Sequence, residues 1–262
     1  MVKLVNRSHP TGSVPPLRQL TVRPTRPPEV LRAAEVHVWT IWRPRAEFLR
    51  ACQAVLSGDE RDLVDRFVLE RDKRMATLSR GARRLLLASY LTARPGAVRF
   101  EETPHGKPSV SSHGSRLHFS TSHSGELLVF AIAKDRQVGI DVEQLRPRKG
   151  ASAVADHFLS SREQAGLAAL PAKTRTAAFY RCWTQKEAFV KLLGEGLRCP
   201  LDRFDVQVDP KQPPALVGFG TRGAPARHAR NCVMASVEVP DGYVGTVGVS
   251  GSSAVVLQFA ID

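Results

Sequence analysis

The sequence predicts an α+β protein built from two similar halves that meet near Asp135. Each half runs from a strand through a helix to a β-rich return, although no internal sequence repeat is evident. The chain has 262 residues, a length that fits two lobes of about 100–130 residues each. Apolar residues make up 42% of the chain, which is enough for a hydrophobic core.

The first half begins after a proline-rich segment. Residues 1–30 contain six prolines and several arginines but little apolar periodicity, so we predict a flexible N-terminal extension there. Residues 36–42 alternate as in a strand, and residues 59–91 have the pattern of one basic helix. The predicted N-terminal lobe therefore spans residues 31–135.

The second half, residues 136–262, is predicted as the C-terminal lobe. Short strands at 117–119 and 127–133 precede it, and the strand from Val138 to Glu143 opens it. The remaining pattern predicts helices at 153–170 and 174–193 and strands at 204–208, 233–239, 244–249 and 254–260.

Charge and composition restrict the function classes. The net charge is +13, from 38 basic and 25 acidic residues, and it is concentrated in the first half, which favours an anionic partner. That partner could be nucleic acid, a phosphorylated small molecule or an acidic protein. No apolar run reaches the roughly 18 residues of a membrane span, and no secretory signal is evident, so we expect a cytoplasmic protein without a membrane partner. The four cysteines are far apart and are expected to be reduced thiols.

Two carboxylates in the strand from Val138 to Glu143 form the first candidate site. Side chains alternate along a strand, so Asp141 and Glu143 point to the same face. Neighbouring carboxylates repel each other unless a cation neutralises them, and Mg²⁺ prefers oxygen ligands of this kind. The alternative is a pair of exposed carboxylates on the polar face of an edge strand. In either case Asp141 is expected to be exposed, so that its replacement would leave the fold intact.

The second candidate site lies on the predicted helix at 174–193. Trp183, Glu187 and Lys191 are spaced i, i+4, i+8 and therefore share one helix face. The same spacing of Glu187 and Lys191 is also that of an ordinary surface salt bridge, which is the alternative interpretation.

Two short polar motifs form the third candidate site. Gly106-Lys107-Pro108 predicts a turn that presents an ammonium group, and Ser122-His123-Ser124 predicts a loop with hydroxyl and imidazole groups. Both could bind phosphate. The alternative is a surface turn and an incidental loop histidine.

Taken in order, these motifs resemble the 4′-phosphopantetheinyl transferases, specifically the large monomeric Sfp-type branch. The resemblance rests on Gly106-Lys107-Pro108, on Ser120 to Ser124, on Val138 to Glu143, and on Trp183 to Lys191 followed by Gly194-Glu195-Gly196-Leu197. It covers residues 35–250, and the segment from Cys199 to Val206 is similar to the strand after the helix in that family. Residues 1–30 have no counterpart.

The resemblance implies a fold and a reaction. The fold would consist of two similar α/β lobes related by pseudo-twofold symmetry, with the active site between them. The reaction would move 4′-phosphopantetheine from coenzyme A to a serine of an apo carrier protein and release adenosine 3′,5′-bisphosphate. Asp141, Glu143 and Glu187 would hold Mg²⁺. Glu187, or a metal-bound water that it orients, would take the serine proton, and Lys191 would neutralise or protonate the leaving phosphate.

The resemblance also implies the binding partners. Lys107, Ser122, His123 and Lys191 would bind the phosphates of coenzyme A, and the basic N-terminal lobe would face its adenosine end. Arg61 and Arg74 are candidates for the adenosine phosphates, together with Arg66 and Arg71. The carrier protein is expected to be acidic, the enzyme monomeric, and nucleic acid not a partner. The alternative function is a basic nucleic-acid-binding module without transferase activity, which the arginine-rich helix alone would favour.

Overall fold

The computed structural model describes residues 2–4, 31–111, 115–146, 158–194, 199–219 and 231–261. The elements in chain order are β1 (Val2–Leu4), β2 (Glu35–Trp42), α1 (Ala46–Ala54), α2 (Gly58–Asp65), α3 (Glu70–Leu91), β3 (Phe100–Glu102), β4 (Pro108–Val110), β5 (Leu117–Ser124), β6 (Leu127–Lys134), β7 (Val138–Gln144), α4 (Ser161–Ala169), α5 (Ala172–Leu193), β8 (Phe204–Val206), β9 (Leu216–Phe219), β10 (Cys232–Ser236), β11 (Tyr243–Ser250) and β12 (Ala254–Ile261). Short 3₁₀ turns occupy Pro95–Ala97 and Leu201–Arg203.

The larger sheet takes strands from both ends of the chain. Its order is β1-β12-β2-β6-β5, with β12 parallel to β1 and β2 and the other neighbours antiparallel. Residues 2–4 thus differ from the predicted flexible extension, since their backbone pairs with β12, while residues 5–30 lie outside the described residues. Residues 254–261, predicted within the C-terminal lobe, pair with β2 from Val255 opposite Glu35 to Ile261 opposite Ile41.

A second sheet of three antiparallel strands, β10-β11-β7, packs face to face with the larger one. Their shared core joins Val36 and Val129 of the larger sheet to Ile140 and Val247 of the smaller. The alternating apolar residues of β7 therefore face the other sheet, as their period of two predicts. Asp141 and Glu143 are left on the opposite face, toward helix α5.

Helices α1 and α3 cover the outer face of the larger sheet, where Cys52 and Leu86 pack against Trp39, Ile41 and Phe130. The structure corrects the prediction of one helix over residues 59–91. Two helices form, and residues 66–69 between them are not helical.

The separation has an electrostatic cause. Helix α2 starts at a capping box in which Ser57 and Glu60 bond each other's backbone N–H groups. Glu60 also lies 3.0 Å from Arg83 and 2.5 Å from Arg84, both on α3. A continuous helix would carry Glu60 far from these guanidinium groups, whereas a chain reversal at 66–69 brings them together.

Helix α5 covers the outer face of the smaller sheet and packs unusually close to β7. A Cβ added at Gly139 would lie 1.9 Å from the carbonyl oxygen of Ala188, so this approach requires glycine. In the parts of the chain that the structure describes, no helix is long and apolar enough to cross a membrane. All four cysteines are reduced thiols, as predicted.

A fully buried ion pair fixes α5 to the segment that follows it. Lys186 Nζ lies 2.8 Å from Glu163 Oε2 of α4 and donates to the carbonyl oxygens of Leu201 and Phe204, at 2.6 and 2.7 Å. Glu163 in turn accepts from the backbone N–H of Val206 at 2.8 Å. A buried charge whose partners are all present is tolerated, but each partner depends on the others.

We therefore expect Lys186→Met to lower the free energy of unfolding by about 3–5 kcal/mol, because it leaves the Glu163 carboxylate buried without a counter-charge. Urea denaturation measures this loss, and the double variant Lys186→Met/Glu163→Gln should recover part of it. Arg50 and Glu47 form an exposed pair at 2.9 Å, and Arg50→Met should cost less than about 1 kcal/mol. Equal stability of Lys186→Met and Arg50→Met would contradict this account.

Candidate active site

Asp141, on the face of β7 that meets α5, lies at the centre of the candidate site. Its side chain is only 6% exposed, which corrects the expectation of an exposed carboxylate. Oδ1 accepts from Lys191 Nζ at 2.6 Å and from the Ser122 hydroxyl at 2.7 Å. Oδ2 is also buried, and it has no hydrogen-bond partner among the residues described.

Glu143, two residues along the same strand, is half-buried and held by two donors. The Ser124 hydroxyl donates to its Oε2 at 2.8 Å, and the side chain of Trp183 also hydrogen-bonds it. The indole ring of Trp183 packs edge-on against Phe158, with ring centroids 5.4 Å apart. Trp183 therefore packs against Phe158 and also lies beside one of the site carboxylates, which the sequence did not indicate.

Helix α5 presents the predicted face to β7. Lys191 bonds Asp141, Trp183 bonds Glu143, and Glu187 lies close enough to feel the charges of both carboxylates. The spacing i, i+4, i+8 thus places all three side chains at one site. Since Lys191 pairs with Asp141 across the helix–sheet boundary, the alternative of a surface pair within the helix is wrong.

The pKa values of all three carboxyl groups are raised. Burial raises the pKa of Asp141 above its usual range, and Lys191 and Ser122 oppose this shift. Burial also raises the pKa values of Glu143 and Glu187, and the negative charge of Asp141 raises both further. A bound cation would relieve this repulsion.

The carboxylates of the site offer oxygen ligands of the kind that a divalent cation prefers, but they are not clustered around one point. Within the described ranges, no three His, Cys, Asp or Glu side chains are gathered closely enough to form an ion-binding cluster. The ammonium of Lys191 supplies the positive charge at Oδ1 of Asp141. The carboxylate oxygens, and above all the unpartnered Oδ2, are nevertheless hard ligands that fit Mg²⁺.

Lys107 has a place that the sequence did not predict. Its Nζ donates to the carbonyl oxygens of Val138, where β7 begins, and Leu192, near the end of α5, at 3.0 and 3.3 Å. Its aliphatic chain packs on Gly194, the left-handed residue that ends α5. Burial lowers the pKa of Lys107 to about 8. The GKP lysine therefore ties the strand and the helix of the site together.

The Ser-His-Ser motif lies at the end of β5 and not in a loop. Ser122 and Ser124 point toward β7, as described, whereas His123 alternates to the other face and is exposed. Although much of His123 is accessible to solvent, the protein packed around its ring and the nearby Lys191 lower its pKa, and Asp141 and Asp72, in the first turn of α3, oppose this. His123 thus lies between the start of α3 and the carboxylate site.

The candidate arginines of the first half lie apart from the carboxylates. Arg61 donates to the carbonyl oxygen of Leu56 at 2.7 Å, and Arg74 is exposed in the first turns of α3. Neither lines the cavity described next.

A cavity of about 750 Å³ opens beside Glu187 and Lys191. One wall is the turn from His105 to Pro108, and the opposite wall is the segment from Cys199 to Asp202, which Lys186 anchors. Apolar side chains of Phe119, Phe158 and Val190 complete it. This volume is typical of a ligand pocket. Glu187 and Lys191 supply charged groups to its lining.

Two family models match adjoining parts of this chain. Residues 40–135 match the family described as 4′-phosphopantetheinyl transferase, N-terminal, and residues 137–246 match the 4′-phosphopantetheinyl transferase superfamily. The 4′-phosphopantetheinyl transferase HetI of Nostoc sp. is 36% identical over 201 residues, which cover 76% of this chain and 84% of that protein.

The chain thus belongs to the 4′-phosphopantetheinyl transferase family, and it is an enzyme of that class. Within the family it belongs to the Sfp-type branch. A 4′-phosphopantetheinyl transferase of Bacillus subtilis is 32% identical over 59% of this chain and 67% of its own. The 4′-phosphopantetheinyl transferase Sfp of Bacillus subtilis strain 168 is 30% identical over 58% of this chain and 66% of its own.

The position of Lys107 leads to a test that needs no substrate. Lys107→Met keeps the aliphatic chain but removes the donor to two partly buried carbonyl oxygens, so it should lower the free energy of unfolding by about 1–3 kcal/mol. Urea denaturation of the ligand-free protein measures this, with Lys211→Met at an exposed lysine as the control. Unchanged stability together with weaker coenzyme A binding would show that Lys107 acts only on phosphate.

Proposed function

We propose that this enzyme transfers 4′-phosphopantetheine from coenzyme A to a serine hydroxyl of an apo carrier protein and releases adenosine 3′,5′-bisphosphate, with Mg²⁺ as cofactor. One observation carries the proposal: Glu187 and Lys191 of α5 meet Asp141 of β7 at the edge of a cavity of about 750 Å³. A general base, a cation and carboxylate ligands are the groups that such a phosphoryl transfer needs.

Asp141, Glu143 and Glu187 are the residues that we propose would hold the metal ion, although they are not gathered into an ion-binding cluster in this structure. They come from a strand and from the helix packed on it, and their mutual repulsion and the unpartnered Oδ2 of Asp141 favour a hard cation. Mg²⁺ bound there supplies positive charge to the pyrophosphate oxygens of the substrate.

Two of the groups at the site are proposed to move protons. Burial raises the pKa of Glu187, which makes its carboxylate a better base for the proton of the attacking serine hydroxyl. The Lys191 ammonium, one helical turn further, is placed to neutralise or protonate the phosphate that leaves. Its contact with Asp141 orients it before substrate arrives.

Coenzyme A binding is proposed for the groups around the cavity. His123 and Ser122 at the end of β5, and Lys191 on α5, remain candidates for its phosphates, and Arg61 and Arg74 for its adenosine end. Lys107 would contribute through the turn from His105 to Pro108, which forms a cavity wall. We infer an active site between two lobes of pseudo-twofold related folds; the two family matches adjoin at residues 135 and 137, which supports that division.

The net charge of +13 supports an acidic carrier as the protein substrate, because opposite charges speed and orient the encounter. We propose a monomeric, cytoplasmic enzyme. Nucleic-acid binding is the weaker candidate. Arg83 and Arg84, two of the arginines of the basic helix predicted at 59–91, are paired with Glu60 and stacked on Phe100.

Transfer is tested by incubating the protein with coenzyme A, Mg²⁺ and an apo carrier protein, and by weighing the carrier. We expect the mass of one phosphopantetheine group to be added, and the addition to stop when EDTA removes the metal or when Asp141→Asn replaces a ligand. Circular dichroism of Asp141→Asn must accompany the assay because this side chain is buried. Full activity in EDTA would contradict the metal proposal while leaving transfer itself intact.

The role of Lys191 is tested by steady-state kinetics. Lys191→Gln should lower kcat by about 10²–10⁴-fold, the usual contribution of a proton donor, and change KM for coenzyme A much less. Lys173→Gln, at an exposed lysine on the same helix, is the matched control and should leave both constants unchanged. A rise in KM with kcat unchanged would instead make Lys191 a simple phosphate anchor.

A further inference from the structure

Three serines join the two sheets of the protein along one line. β5 is an edge strand of the larger sheet and β7 an edge strand of the smaller. Ser120, Ser122 and Ser124 occupy alternate positions of β5, so their side chains share the face toward β7. Their hydroxyl oxygens accept from the backbone N–H groups of Ile140, Val142 and Gln144, at 3.2, 3.4 and 3.1 Å.

Two of these hydroxyls do more than join the sheets. A serine hydroxyl has a single hydrogen to donate. Ser122 donates it to Oδ1 of Asp141 at 2.7 Å, and Ser124 donates it to Oε2 of Glu143 at 2.8 Å. Ser120 makes the same kind of backbone contact but has no carboxylate next to it.

Each serine hydroxyl restricts the orientation of the carboxylate next to it. The hydroxyl oxygen is fixed by the backbone N–H of the residue after each carboxylate, and its hydrogen is therefore aimed at the carboxylate itself. Each carboxylate is held by its serine at one oxygen, and its other oxygen takes no part in that contact. For Asp141 that other oxygen is the unpartnered Oδ2.

We propose that Ser122 and Ser124 are positioning residues, which orient Asp141 and Glu143 for binding a divalent cation. This rests on the proposed function, because it concerns the same metal site. It assigns the serines of the Ser-His-Ser motif to the carboxylates, where the sequence indicated a contact with phosphate. Partners that orient metal ligands commonly affect metal affinity by 10–100-fold when they are removed.

The test compares three single variants, Ser120→Ala, Ser122→Ala and Ser124→Ala. Each loses one hydroxyl contact to the β7 backbone, so urea denaturation should show a loss of stability in all three. Mn²⁺ is the probe, and its electron paramagnetic resonance signal reports the free ion during titration with and without coenzyme A. We expect the Mn²⁺ Kd to rise by about 10–100-fold in Ser122→Ala and Ser124→Ala and to stay unchanged in Ser120→Ala.

A conservative substitution sharpens the test. Ser124→Thr keeps the hydroxyl, and threonine is well accommodated on a strand. This variant should therefore retain the Mn²⁺ affinity that Ser124→Ala loses. Equal Mn²⁺ affinities in all three alanine variants would overturn the proposal, because the serines would then only join the sheets. A higher KM for coenzyme A in Ser122→Ala, with unchanged Mn²⁺ affinity, would return that residue to phosphate binding and equally overturn its assignment.

The outcome for the wild-type protein separates this inference from the function on which it rests. If the wild type binds Mn²⁺ saturably and the serine variants do so equally well, only the positioning role fails. If the wild type shows no saturable Mn²⁺ binding, even with coenzyme A present, the metal proposal itself fails.

Discussion

The close approach of helix α5 to strand β7 at Gly139 decides the geometry of the site. The carbonyl oxygen of Ala188 lies where any side chain at Gly139 would have to be. With a larger residue the helix would move outward, and the 2.6 Å contact between Lys191 and Asp141 would be lost. The absence of a side chain at Gly139 therefore allows Glu187 and Lys191 of the helix to face the two carboxylates of the strand.

Two lysines on opposite faces of α5 hold the helix in this position. Lys191 faces β7 and partly neutralises the carboxylates, whereas Lys186 faces away, is fully buried and holds the chain at Leu201 and Phe204. Lys107 adds a third cation, which binds carbonyl oxygens at the start of β7 and near the end of α5. The positive charges thus organise the backbone around the acidic groups as well as balancing them.

The chemistry of the site was more predictable from sequence than its surroundings. Strand alternation placed Asp141 and Glu143 on one face, and helical spacing placed Trp183, Glu187 and Lys191 on another, because both rules depend only on local geometry. The burial of Asp141 and the carbonyl contacts of Lys107 depend on packing between distant segments, which no local period reveals. The pairing of β12 with β2 and the chain reversal at residues 66–69 were missed for the same reason.

The strand character of the Ser-His-Ser motif was hidden because its serines face backbone N–H groups and carboxylates, not an apolar core. A serine at every second position from Ser120 to Ser124 was the signal that could have revealed it.

The serine hydroxyls between β5 and β7 contact both the backbone and the carboxylates of β7, which direct pairing of the two strands would not allow. If β5 and β7 had paired through their backbones, the N–H groups of Val142 and Gln144 would have been satisfied by carbonyl oxygens. A carbonyl oxygen only accepts, so it could offer nothing to the carboxylate beside it. A hydroxyl accepts from the N–H and donates to the carboxylate at the same time. The two sheets are therefore joined by the group that can also orient Asp141 and Glu143, and the edge of the fold and the candidate metal site are built from the same atoms.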